Sequence, residues 1–294
     1  MKRTLTAVLA IMLSVGMLAP GVASADSSIN EKLGVPVVVY GANLSEEERA
    51  SVKKSLKVDE EAEVEEIEVT GKDLVTYIKD GDPNARMYSS AKIMRQDAGK
   101  GLVISIVTHD NITQVTPDMY ATAMLTAGIE DAKVEVAAPK KVSGHSALVG
   151  IYKAYEVSGE TLDKDRTDVA NDELDVATTL SDKGVDKDKV AELLTDIKQQ
   201  ISDKKPATKE DVEKIVKEQL EKHKIELSDA DRQLLIDLMD RISKLNIDFS
   251  KFSQQLDDMA SKVKDKLGEI DPGFWDKVKE FFQGLVDSVK SIFQ

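Results

Sequence analysis

The chain has 294 residues, no cysteine, one tryptophan and a formal charge of −14, from 40 basic and 54 acidic side chains. That length allows one large domain or two ordinary ones, enough to bury a core. The missing cysteine excludes disulfides, thiolate zinc sites, iron–sulfur clusters and thiol nucleophiles, and the acidity argues against nucleic acid or anionic lipid held by bulk charge.

Lys2 and Arg3 precede an apolar run from Leu5 to Ala19, which ends at Pro20-Gly21. Ala23-Ser24-Ala25 then offers small side chains where a signal peptidase needs them. The run is about 15 residues, short of the roughly 20 that span hydrocarbon. Residues 1–25 therefore read as a signal peptide cleaved after Ala25, and they predict export. Losing Lys2 and Arg3 leaves the remainder more acidic still.

Residues 26–160 read as an α/β domain. Val35–Tyr40 is an apolar, β-branched run and predicts a buried strand ended by Gly41. Ser45 with Glu48 is a capping box, opening a helix to about residue 57. Ala62–Val69 alternates imperfectly and predicts a half-exposed strand. Thr70 with Asp73 is a second capping box, leading a helix through Leu74, Tyr77 and Ile78. Met87–Lys92 is a polar-aromatic stretch that fits either a core or a binding surface. Gly101–Val107 carries the best strand signal in the chain. Thr116-Pro117 starts a helix that ends at Gly128. Ala132–Ala137 alternates as a strand, and Ser146–Lys153 continues as a helix. The order strand, helix, strand, helix thus occurs twice. It reads either as a duplicated unit or as chance similarity, and both stay open. Either way it predicts an α+β or α/β fold, with helices packed on a mixed sheet.

Strand signals stop after residue 160. Residues 161–206 read as an acidic polar linker with helices, and Val190, Leu193, Leu194, Ile197 and Ile201 mark one helix within them. Residues 207–294 predict a helical domain. Helices open at Thr208 and Ser228, and from Leu235 to Val263 apolar residues alternate in steps of three and four, a heptad seam. The seam fits packing within the chain, a helical hairpin or a dimeric coiled coil; the phenylalanines at 249 and 252 favour the first. In 271–294, Phe274, Trp275, Phe281 and Phe282 fall on one stripe of an amphipathic helix. That stripe would close a core, meet a partner or lie on a membrane surface.

Chemistry is sparse. The three histidines show no zinc-binding spacing, no glycine-rich phosphate loop or other cofactor motif is present, and no Gly-x-Ser-x-Gly elbow occurs. His109 and Asp110 follow the strongest strand, where α/β sheets often build sites. His145 stands between serines in Ser143-Gly144-His145-Ser146. These three, with the four aromatic residues of the C-terminal segment, are the candidate binding residues.

The segments Tyr40–Leu44, Met87–Ala91, Thr126–Ala132 and Val136–Glu156 resemble the YpuA-like secreted proteins of Bacillus and relatives, the domain-of-unknown-function 1002 family. The resemblance spans most of the chain after the leader. It implies export from a Gram-positive cell and a role at the envelope, and it supplies no reaction or catalytic residue. The expectation is a secreted, envelope-associated binding module whose partner is an envelope component or a protein. The alternative is a wall-polymer hydrolase with a loop site near His109 or His145.

Overall fold

The computed structural model describes residues 33–245 and 247. Strands β1 (Val37–Gly41), β2 (Glu65–Val69), β3 (Ser90–Arg95), β4 (Leu102–Ile106) and β5 (Ala132–Ala137) form one sheet in the order β2-β1-β3-β5-β4. β1 pairs parallel with β2 and β4 with β5, while β3 runs antiparallel between β1 and β5. Four strands therefore end at one edge of the sheet, and β3 starts there. β3 is the strand that the sequence does not signal. Ser90 and Lys92 are buried in it, and they break the apolar pattern that marks the others.

Alternate residues of a strand share a face. Val39, Ala91, Val136 and Ile106 are in register and belong to the large core. Val38, Lys92 and Glu135 are in register on the opposite face. Buried Lys92 is satisfied there: its Nζ donates to the Leu56 carbonyl and to Glu61, each at 2.7 Å, and pairs with Glu135 at 3.0 Å.

Helix α1 (Glu46–Ser55) starts on the Ser45–Glu48 capping box, and α2 (Gly71–Tyr77) on the Thr70–Asp73 box, as the sequence predicts. Helix α3 (Pro117–Ala127) is capped by Thr116 and stopped by Gly128 in the left-handed region. Helix α4 (His145–Val157) crosses β1 and β3 so closely that a Cβ on Gly150 would lie 3.0 Å from Val39. The Val52 and Leu56 side chains, from α1 and its C-cap, pack on Val38 and Tyr40, whereas α3 packs on the opposite face. Both β-α-β passages step across the sheet in the same direction with their helices on opposite faces. They are therefore of opposite hand, so one departs from the usual right-handed crossover.

Helices α5 (Lys164–Asp182), α6 (Lys187–Lys204), α7 (Lys209–His223) and α8 (Asp229–Ser243) complete an α+β fold of five strands and eight α-helices among the described residues. α5 and α6 lie against α3, and α8 closes over α5, α6 and α7. One hydrophobic cluster runs from Val37 to Ile242. Arg166 of α5 caps the end of α3, donating to the carbonyls of Thr126 at 2.8 Å and Leu125 at 2.9 Å. The first residues of the heptad seam, Leu235, Leu238 and Ile242, are buried in this cluster. Leu245 packs half-buried against it, and the seam beyond Leu245, like residues 1–25, lies outside the described residues. No helix among the described residues is long and apolar enough to cross a membrane.

Candidate functional site

A cleft of about 600 Å³ opens beside the sheet edge where β1, β2, β4 and β5 end. Crevices at the carboxyl ends of strands are common ligand sites. Three chain segments wall it: the α2–β3 connection, the β5–α4 turn and one face of α5. Leu74, Ile78, Met87 and Val149 supply apolar lining, while Asp80, Asp82, Arg86, Tyr88, Ser143, His145, Ser146, Asp172 and Asp175 supply polar groups.

The first wall is pressed flat against the fold. A Cβ on Gly41 would meet the Met87 carbonyl oxygen at 2.3 Å, and one on Gly71 would meet the Pro83 carbonyl oxygen at 2.4 Å. Asn43 grips the same segment, its N–H donating to the Met87 carbonyl at 3.1 Å and its Oδ1 accepting from the Met87 N–H at 2.8 Å. The Tyr88 ring carries Lys140 Nζ 4.0 Å from its centroid, a cation–π contact. The Lys140 ammonium also pairs with Glu48 at 2.9 Å. Arg86 stands exposed on the rim.

His145 is the first residue of α4 and reaches across to α5. Its Nε2 lies 3.2 Å from Asp175 Oδ1 and 3.2 Å from Thr178 Oγ1. The Thr178 hydroxyl donates to the Leu174 carbonyl at 3.0 Å, so towards the histidine it can only accept. The Asp175 carboxylate likewise only accepts. Both contacts place a proton on Nε2. The Ser146 hydroxyl oxygen accepts from the Ser89 N–H at 3.2 Å. Asp172 forms an ion pair with Arg241 of α8.

Of the candidate residues, His145 lines the cleft. His109 and Asp110 do not: they form an exposed 3₁₀ turn after β4. The side chains of the flanking residues hold the turn in place. Thr108 Oγ1 accepts from the Ala138 N–H, and Asn111 Nδ2 donates to the Ala138 carbonyl, both at 2.8 Å. Phe274, Trp275, Phe281 and Phe282 lie outside the described residues. Arg86, Tyr88, Asp172 and Asp175 are cleft residues that sequence reasoning did not select. Tyr88 falls within the stretch left open between core and surface. Asp175 gave no signal among 54 acids. No group of three or more His, Cys, Asp or Glu among the described residues is placed to hold a metal ion.

A family model described as "Protein of unknown function (DUF1002)" matches residues 40–259. The chain belongs to the DUF1002 family. It is also similar to "Uncharacterized protein YpuA" of Bacillus subtilis (strain 168), at 35% identity over 232 residues, covering 77% of each chain. No solved structure matches. The DUF1002 span contains every residue that lines the cleft.

Proposed function

We propose that this DUF1002 protein is an exported, envelope-associated binding module that takes its ligand in the cleft beside His145. The observation that carries the reading is the convergence of three separate segments on one mixed apolar and polar cleft at the carboxyl edge of the sheet. The leader pattern of residues 1–25 supports export, and the aromatic stripe of 271–294 supports contact with an envelope component or a partner protein. Hydrolysis of wall polymer is the second reading, favoured by the contact of His145 with Asp175. Against it, the Nε2 proton is already given to two acceptors, and the Ser146 oxygen is already an acceptor. That arrangement supports recognition more than proton transfer.

The test is recovery of a ligand from wall and membrane fractions by the purified chain, scored by mass spectrometry. Wild type should retain a defined component, and His145→Ala should retain about tenfold less, as for truncation of a central contact residue. Deleting residues 271–294 should abolish retention on the envelope while circular dichroism stays that of a folded protein. Equal recovery by wild type and His145→Ala would refute the cleft as the site, and unchanged retention after the deletion would refute the role of the C-terminal segment.

A further inference from the structure

Tyr120 of α3 is fully buried and takes no part in lining the cleft. Its hydroxyl donates to the Gly144 carbonyl at 2.6 Å. Burial holds the phenol well above its ordinary pKa, so the group stays a donor. Gly144 sits at φ +108°, a left-handed backbone that favours glycine. A Cβ there would also lie 2.7 Å from the Tyr120 hydroxyl oxygen and 2.8 Å from Ile112 Cγ2.

Gly144 is the N-cap of α4 and offers no side chain to cap it; the Ser143 hydroxyl accepts from the His145 N–H at 3.4 Å. The start of α4 is also held from behind. Tyr120 holds the Gly144 carbonyl, and the Ser143 carbonyl accepts from the N–H groups of Gln114 and Val115, each at 3.3 Å. The next residue is His145, which reaches Asp175 and Thr178 on α5. α5 is tied back to α3, where the Thr126 hydroxyl donates to Glu173 at 2.6 Å. The chain of contacts from α3 through Gly144 and His145 to α5 and back to α3 is thus closed.

We infer that Tyr120 is a positioning residue, which fixes the direction in which His145 enters the cleft. The inference rests on the reading of the cleft as the binding site, but it concerns the geometry of His145 whatever the ligand. A hydroxyl that merely satisfied its own burial could bond any nearby carbonyl. This one bonds the carbonyl of the residue that sets the first turn of α4, in a space that only glycine leaves open.

The test is carbethoxylation of the full chain by diethyl pyrocarbonate, followed separately at His109, His145 and His223 by mass spectrometry. Tyr120→Phe keeps the ring and removes the hydroxyl. It should raise the rate at His145 about fivefold, the ratio that one net hydrogen bond of ordinary strength supports, with His109 and His223 unchanged. Gly144→Ala, whose methyl group would displace the Tyr120 hydroxyl, should act in the same way and serves if Tyr120→Phe does not fold. An unchanged rate at His145 in the folded variants, or equal acceleration at all three histidines, overturns the inference. Selective acceleration at His145, in a protein that retains nothing from envelope fractions, would refute the binding reading and leave the positioning role standing.

Discussion

Glu173→Leu alone, or Lys198→Met alone, should each destabilise the protein by about 3–5 kcal/mol, the usual effect of stranding one buried charge. Glu173 lies on α5 and Lys198 on α6, and both are fully buried where these helices meet α3. The two form an ion pair. Lys198 Nζ also donates to Thr126 Oγ1 at 2.8 Å and to the Thr122 carbonyl at 3.1 Å. Burial pushes the Lys198 ammonium down from its ordinary pKa, and the Glu173 carboxylate beside it resists that shift. Removing either partner leaves an uncompensated charge in an apolar interior. Removing both leaves none. The double variant Glu173→Leu/Lys198→Met should therefore recover most of the lost stability, because replacing a buried pair by apolar residues of similar volume is often neutral or better. Urea denaturation of the four proteins gives the double-mutant cycle. Single variants within about 1 kcal/mol of wild type, or a double variant as unstable as the sum of the singles, would contradict this account of the pair.

The second large effect is steric. Gly41→Ala should destabilise by about 3 kcal/mol, at the upper end for overpacking. Its Cβ would meet the Met87 carbonyl oxygen at 2.3 Å and Tyr88 Cα at 2.9 Å, and both are backbone atoms with no rotamer to yield. Either the C-terminal end of β1 or the cleft wall must move. Gly99→Ala is the comparison: its backbone is left-handed, at φ +81°, as that of Gly41 is not, yet nothing lies within 4 Å of the new Cβ. It should cost only the conformational penalty, about 1–2 kcal/mol. If the two variants unfold at the same urea concentration, the tight seat of the cleft wall is not a determinant of stability. Because the wall carries Tyr88, Gly41→Ala should also weaken envelope recovery, which Gly99→Ala should leave intact.

The helix starts at Ser45, Thr70 and Thr116 were legible in the sequence because a cap is a local bond between residues three apart. Strands β1, β4 and β5 were legible because their buried faces are apolar. Helix α5 showed only thinly spaced apolar residues, since it buries Thr167, Asp168, Glu173 and Thr178 as well. Thr167 and Asp168 are satisfied by partners far along the chain. Thr167 donates to the Tyr77 carbonyl at 2.9 Å, and Asp168 accepts from the Lys79 N–H at 2.8 Å. No spacing rule within α5 encodes such bonds. The same holds for the cleft. His145 stood out as a polar residue in a turn, but Asp175 and Thr178 are set beside it by the packing of α5, some thirty residues on. His109 stood out equally, and the fold leaves it on an exposed turn.

Carbethoxylation of the wild-type chain, with and without the wall and membrane fractions, shows whether the cleft beside His145 holds the ligand. His145 should be protected by the fraction that supplies the ligand, while exposed His109 reacts at an unchanged rate. Full reactivity of His145 in the presence of every fraction, or protection confined to His109, would contradict that placement of the ligand.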